Sequence, residues 1–145
     1  GVLPVSAVLA DDEVMLNIRP GEHGSTYGGN PLACSVATAA LNVLLDENMV
    51  ENAREMGKHF RSRLRELDDN TVVTVRGRGL LNAIEIRPRE DRTAWEFCLM
   101  LMKRGLLAKP THDHIVRLAP PLCISRDEVD AAADIIGECV VEYSQ

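Results

Sequence analysis

The chain has 145 residues, enough for one ordinary domain that buries about two thirds of the surface of its unfolded chain. Hydrophobic residues make up 46% of it and charged residues 26%, which excludes a disordered protein, and no apolar run is long enough to cross a membrane. The formal net charge of −6 argues against nucleic acid as the main partner, because binding to phosphate needs a basic surface.

The cysteines and histidines show no pattern typical of a metal site. None of the four cysteines forms a C-x-x-C pair, and three of them fall inside apolar runs. We therefore expect reduced, mostly buried thiols in an intracellular protein. The residues concerned are Cys34, Cys98, Cys123 and Cys139. His112 and His114 have no cluster of carboxylates or thiols beside them, so the sequence favours a polar turn and no metal.

The first segment, residues 2–10, is predicted to be a buried strand, and a short helical turn follows over residues 14–18. A run of apolar and β-branched residues of this kind usually lies inside a larger sheet, where neighbouring strands pair its backbone. The sequence enters this segment without an initiator methionine or a targeting segment. We therefore expect a piece excised from a longer protein.

The next segment, GEHGSTYGGNPL over residues 21–32, is predicted to be an anion site. Asn30 can cap a helix, and Pro31 suits its first turn. Small residues and hydroxyls precede the cap: Ser25, Thr26, Gly28 and Gly29. Free N–H groups, hydroxyls and the positive end of the helix dipole can converge there on a phosphate or carboxylate. An ordinary capped loop is the alternative from spacing alone. The helix that follows, over residues 32–44, is predicted to be well buried.

The remaining segments are predicted to form an α+β module. A helix with an apolar stripe starts at Asn48, and Ser125 and Glu128 form the capping box of a terminal helix. Between them we predict the strands 71–75, 80–86, 106–109 and 114–119 and a helix over 94–104. Gly77 and Gly79 are predicted to form a hairpin turn or bulge between the first two strands.

Arg117 is the second candidate binding residue. It interrupts the apolar run IVRLAPP, and strand alternation places it on the same face as Ile115 and Ala119. A guanidinium at such a position must find an anion or reach water. From the residues alone, an edge-strand arginine that extends to solvent is an equal alternative.

Four motifs, in order, resemble the C-terminal part of the class III pyridoxal-phosphate aminotransferases. They are VLPVSAVLADDEVM, GEHGSTYGGNPLAC, RGRGLLNAIEI and LLAKPTHDHIVRLAPPL, and together they cover essentially the whole chain. The resemblance implies part of a fold-type I transferase of α/β to α+β class. Residues 1–46 would be the last strand, loop and helix of the large cofactor domain, and residues 47–145 would be the small C-terminal α+β domain.

The resemblance also implies roles for the candidate residues. Thr26, with Ser25 beside it, would contact the phosphate of pyridoxal 5'-phosphate in the neighbouring subunit of a homodimer. Arg117 would hold the α-carboxylate of the substrate as a bidentate pair. In the family, the lysine that forms the Schiff base lies upstream of Gly1. None of Lys58, Lys103 and Lys109 matches it, so we expect this piece alone to be inactive.

The last motif is most similar to the ornithine aminotransferases of that family. We therefore expect the intact enzyme to transfer the δ-amino group of ornithine to 2-oxoglutarate in a ping-pong cycle, giving glutamate 5-semialdehyde and glutamate. The acetylornithine and 4-aminobutyrate aminotransferases share the loop and the arginine and remain alternatives. A non-catalytic folding or dimerisation module is an alternative of another class. The compartment would be the cytoplasm or the mitochondrial matrix.

Overall fold

The chain divides into two compact units in a computed structural model that describes residues 3–68, 70–90 and 92–145. The units are Gly1–Glu47 and Asn48–Gln145. The boundary lies one residue beyond the predicted boundary at residue 46.

Residues 3–47 of the first unit form two helices, α1 over Asp12–Met15 and α2 over Pro31–Asp46. The prediction of a strand over residues 2–10 is wrong for residues 3–10, which form no helix or strand and are mostly exposed; Val2 lies outside the described residues. A strand exists only when another segment pairs with its backbone, and no described segment of the first unit does so.

Helix α2 begins where the sequence predicts, but the expectation that it is buried is wrong. None of its residues is buried, and its leucines Leu32, Leu41 and Leu45 are 67%, 62% and 72% exposed. Within the described residues of the first unit, the only other helix is the four-residue α1. No element of the unit is therefore large enough to cover the apolar side of α2.

The described residues of the second unit form a four-stranded sheet and three helices. The helices are α3 over Met49–Arg65, α4 over Ala94–Lys103 and α5 over Arg126–Ser144. The strands are β1 over Val72–Arg78, β2 over Leu81–Ile86, β3 over Lys109–Thr111 and β4 over Ile115–Leu118. Their order in the sheet is β1-β2-β4-β3, and every pair is antiparallel.

The core of the second unit lies between its helices and one face of the sheet. Alternate strand residues point into it, among them Ile84, Ile86, Val116 and Leu118, and Phe60, Phe97 and Ile136 meet them from the helices. Burial on one face only is typical of an antiparallel sheet in an α+β module. The opposite face, which none of these helices covers, is called the helix-free face below.

Some ends of the elements follow local signals and others do not; Asn48, for example, precedes α3 but its side chain makes no cap hydrogen bond. The predicted capping box of α5 is confirmed, because the Ser125 hydroxyl accepts from the Glu128 N–H and Glu128 accepts from the Ser125 N–H. The strand predicted over 106–109 is wrong for residues 106–108, and β3 begins at Lys109. Gly105, at φ +86°, ends the helical segment, and the Leu106 N–H donates back to the carbonyl of Leu101.

The four cysteines divide equally between interior and surface. Cys98 and Cys139 are buried in the core, and burial raises the pKa of the Cys98 thiol to about 11. Cys34 and Cys123 are exposed, so the expectation of mostly buried thiols is wrong for half of them. In the described part of the chain, the helices lack the combination of length and apolar character that a membrane crossing requires.

Candidate functional site

The loop before α2 is held by the side chain of Asn30. Its Oδ1 accepts from the Ala33 N–H at 2.9 Å, which is the predicted helix cap, and its Nδ2 donates to the Tyr27 carbonyl at 2.7 Å. One amide side chain therefore fixes both the start of the helix and the turn that precedes it.

A second contact shapes the loop from inside. The Ser25 Oγ accepts from the Gly28 N–H at 2.9 Å. A Cβ at Gly28 would lie 2.8 Å from the Ser25 Cβ, and Gly29 has φ +72°, a conformation that favours glycine. The two glycines thus let the chain turn closely around Ser25, and the Ser25 hydroxyl proton stays available for a ligand.

The donors that remain in this loop suit an oxyanion. Within the described residues, the Thr26 hydroxyl and the N–H groups of Thr26, Tyr27 and Gly29 donate no hydrogen bond. A cavity of about 390 Å³ in the first unit is lined by Ser25, Tyr27, Gly28 and Gly29, together with residues 4–6, Asn30, Ala33 and Cys34. Thr26 is exposed beside it and is not among the lining residues. Neutral N–H and hydroxyl donors at a helix N-terminus are the chemistry that a phosphate needs.

Arg117 lies in the second unit, on the interior strand β4. Its neighbours across the sheet are Ala83 on β2 and Lys109 on β3. The alternative of an edge-strand arginine is therefore wrong about the strand, although the Arg117 side chain does extend to solvent as that alternative expects. The Arg117 side chain is exposed on the helix-free face, and the half-buried Ile115 lies on the same face, as the alternation predicts. No carboxylate of the described residues forms an ion pair with it.

A shallow cavity of about 370 Å³ surrounds Arg117 on this face. Its lining includes Arg76, Ala83, Thr111 and His112. Ala83 is the smallest of the side chains on this row of the sheet, and it leaves space between the two arginines that flank it. The geometry offers a carboxylate an uncompensated guanidinium in an open depression.

The turn that joins β1 and β2 is braced by helix α3, which sequence reasoning missed. A Cβ at Gly57 of α3 would lie 1.8 Å from the Gly79 carbonyl oxygen. The Arg61 Nη1 donates to that same oxygen at 2.7 Å and to the Asn82 Oδ1 at 2.6 Å. Gly77 has φ +151°, and a Cβ there would lie 2.6 Å from that Oδ1. The glycines of the turn are therefore structural, and only tertiary contact reveals their partners.

The three lysines of the chain are all exposed. Lys58 lies on α3, Lys103 on α4 and Lys109 on β3. None lines the cavity beside Ser25.

The sequence is similar to known proteins over nearly its whole length. Residues 1–140 match the aminotransferase class-III family. The chain is 55% identical over 143 residues to the mitochondrial ornithine aminotransferase of Rattus norvegicus and 56% identical over 145 residues to the probable mitochondrial ornithine aminotransferase of Caenorhabditis elegans. These matches cover 99% and 100% of the chain but 33% and 34% of the relatives. The chain thus spans about a third of their length.

Solved structures with a similar fold are also aminotransferases. An ornithine aminotransferase from Plasmodium yoelii matches with a TM-score of 0.87 and 48% identity over 93% of this chain and 36% of its own. An acetylornithine aminotransferase from Elizabethkingia anophelis matches with a TM-score of 0.86 and 48% identity over 92% of this chain and 34% of its own. The predicted fold class, part of a fold-type I pyridoxal-phosphate-dependent transferase, is confirmed. From its sequence and its fold, the chain belongs to the class-III aminotransferases.

Proposed function

We propose that this chain is part of an enzyme that transfers the δ-amino group of ornithine to 2-oxoglutarate with pyridoxal 5'-phosphate as cofactor. The products are glutamate 5-semialdehyde and glutamate. The observation that carries the proposal is the exposed, unpaired Arg117 on an interior strand of a chain 55–56% identical to proteins named ornithine aminotransferase. A guanidinium in that position suits the carboxylate that both substrates carry.

The loop around Ser25 and Thr26 fits the phosphate of the cofactor. It offers hydroxyls and free N–H groups at the start of α2, and Gly28 allows the close turn that directs them. When bound, the cofactor supplies an electron-withdrawing ring that acidifies the substrate carbon bearing the amino group. The hydroxyls of Ser25 and Thr26 hold and orient the phosphate, so the ring keeps a fixed position.

We assign this loop to the neighbouring subunit's cofactor in a homodimer of complete chains. Residues 1–46 then belong to the large domain and residues 47–145 to the small one. The exposed leucines of α2 support an interface on this helix, because apolar surface of this kind is usually covered by another surface. The compartment is the cytoplasm or the mitochondrial matrix; several relatives carry the word mitochondrial in their names.

A test of the cofactor role is Thr26→Ala in the chain joined to the remaining two thirds of the polypeptide. Losing a hydrogen bond to a charged group should weaken retention of pyridoxal phosphate by about 1.5–3 kcal/mol. Thr38→Ala is the control, since Thr38 lies on α2 and its hydroxyl donates to the Cys34 carbonyl of the same helix. Unchanged cofactor affinity in Thr26→Ala would count against the phosphate role.

A second experiment identifies the amino-group donor by measuring turnover of the same full-length protein with three candidate amines. Turnover with ornithine should exceed turnover with N-acetylornithine and with 4-aminobutyrate. A preference for either of those two compounds would move the assignment to the acetylornithine or 4-aminobutyrate aminotransferases, which are the alternatives in the family.

A non-enzymatic function is the second candidate for the 145-residue chain by itself, namely a folding or dimerisation module. The exposed apolar side of α2 favours it. None of the three lysines of the chain lines the cavity beside Ser25. We therefore expect no stoichiometric adduct when the chain is mixed with pyridoxal phosphate and reduced with borohydride. A reduced adduct on one lysine would show instead that the chain alone holds the cofactor covalently.

A further inference from the structure

Three cations lie in one row across the helix-free face of the sheet. Arg76 on β1 pairs with Ala83 on β2, Ala83 pairs with Arg117 on β4, and Arg117 pairs with Lys109 on β3. Side chains that are directly opposite in an antiparallel pair point to the same face and lie close together. The row therefore brings Lys109 beside Arg117, with Arg76 on the far side of the small Ala83.

The pairing of Lys109 with Arg117 is unfavourable for the isolated sheet. Like charges directly opposite each other destabilise a strand pair. Within the described residues neither side chain forms an ion pair, although the chain carries 22 carboxylates and a net charge of −6. The strand carboxylate on this face, Glu85, lies 3.5 Å from Arg76 and 3.6 Å from His114. The positive charge at Lys109 and Arg117 is therefore left uncompensated.

We propose that Lys109 is a specificity-determining residue, which together with Arg117 forms a two-cation site that selects dicarboxylic 2-oxo acids over monocarboxylic ones. The inference rests on the proposed function, in which only Arg117 was given a substrate group. A dianion compensates both cations at once, whereas a monoanion compensates one and leaves the repulsion in place. The depression of about 370 Å³ is lined by Arg117, and Lys109 lies beside it as the cross-strand partner of Arg117 without lining it. A diacid with one carboxylate on Arg117 would therefore reach Lys109 at the rim of the depression.

Lys109 and Arg117 interact differently with the two substrates of the proposed reaction. A dicarboxylic acceptor such as 2-oxoglutarate carries two negative charges, and the row attracts it as a whole. Ornithine carries a net positive charge, so Lys109 contributes nothing favourable to its binding beyond the contact of Arg117 with the carboxylate. The row thus accounts for selectivity at the acceptor step and not at the donor step.

The test measures equilibrium binding of 2-oxoglutarate and of the monocarboxylic probe 2-oxobutyrate to the 145-residue chain by titration calorimetry at low salt. Lys109→Gln should weaken binding of 2-oxoglutarate by about threefold, as expected for one exposed charge, and binding of 2-oxobutyrate by less than about 1.5-fold. Lys109→Arg should restore the preference. High salt should reduce the difference between the two probes. The matched control is Lys58→Gln, since Lys58 is exposed on α3, away from the helix-free face.

Equal losses for the two probes in Lys109→Gln, no loss for either, or no binding of 2-oxoglutarate at millimolar concentration would each overturn the inference. The variant Arg117→Gln distinguishes a failure of the inference on Lys109 from a failure of the proposed function. If Arg117→Gln weakens both probes and Lys109→Gln changes neither, the carboxylate role of Arg117 stands and only the role of Lys109 falls. If Arg117→Gln binds both probes as the unmodified chain does, the proposed function loses its substrate site.

Discussion

Single side chains decide how the parts of the second unit meet, and Gly57 shows this most directly. It lies in the middle of α3, where glycine lowers helix stability by roughly 1 kcal/mol relative to alanine. The Gly79 carbonyl occupies the space of its absent side chain. The sequence shows a helix with an apolar stripe at this point and gives no sign of the carbonyl, because the contact joins residues 22 positions apart.

Gly57→Ala should therefore destabilise the second unit, although alanine is the better helix former. We expect a loss of about 1–3 kcal/mol, because the helix and the β1–β2 turn must move apart to admit the methyl group. Gly137→Ala on α5 is the control: a Cβ there lies 3.3 Å from the Leu67 Cδ2, the end of a flexible side chain. The control should be neutral or slightly stabilising in urea unfolding. Equal stability of the two variants would show that the turn does not rest on α3.

At the scale of elements, local signals predict two helix caps and the β1–β2 hairpin, and the pairings between segments farther apart do not follow from them. The caps at Asn30 and Ser125 lie within four residues of what they bind, so the sequence predicts them correctly. The strand over residues 3–10 fails because its identity depends on a partner strand. Arg117 illustrates both cases: its exposed face follows from alternation, but its interior position and its neighbour Lys109 depend on the order of the sheet.

Helices α3 and α5 are joined by a charged cluster with a defined pH response. Asp130 accepts from the His59 Nε2 at 2.7 Å and also pairs with Arg63, whose Nη2 donates to Asp134 at 2.7 Å. The hydrogen bond from His59, followed by that from Arg63, lowers the pKa of Asp130 below its ordinary value. A carboxyl whose pKa is lowered by folding stabilises the fold above its unfolded pKa, and this stabilisation is lost as the pH falls through the folded pKa.

Asp130→Asn should accordingly lower the free energy of unfolding at neutral pH, and the difference from the unmodified chain should shrink as the pH falls into the acid range. Urea titrations at a series of pH values from neutral to strongly acid measure the difference. Asp127→Asn serves as the comparison, because Asp127 is exposed on the same helix and forms no ion pair within the described residues. A difference that stays constant with pH would rule out the ionised carboxyl as its source.

At the scale of the whole molecule, the buried core lies in one of the two units. Every residue of the buried cluster lies between positions 60 and 143, in the second unit, and the described residues of the first unit contribute none. Stability in a protein follows buried apolar contacts, and exposed segments with few of them open first. The family and the fold class could be predicted from motifs that run the length of the chain. The uneven burial of the two units could not be predicted, because it depends on which apolar residues find partners.

Limited proteolysis with chymotrypsin should therefore cut the first unit long before the second. Tyr27 is 82% exposed in the loop before α2, and cleavage after it should come first. Trp95 is the internal control: it is 58% exposed but lies in α4, so its peptide bond is protected until the second unit unfolds. Mass spectrometry of the early products should show a stable fragment containing residues 48–145, with cooperative thermal unfolding by circular dichroism. Early cleavage at Trp95, or gradual unfolding of that fragment, would contradict an independent core in the second unit.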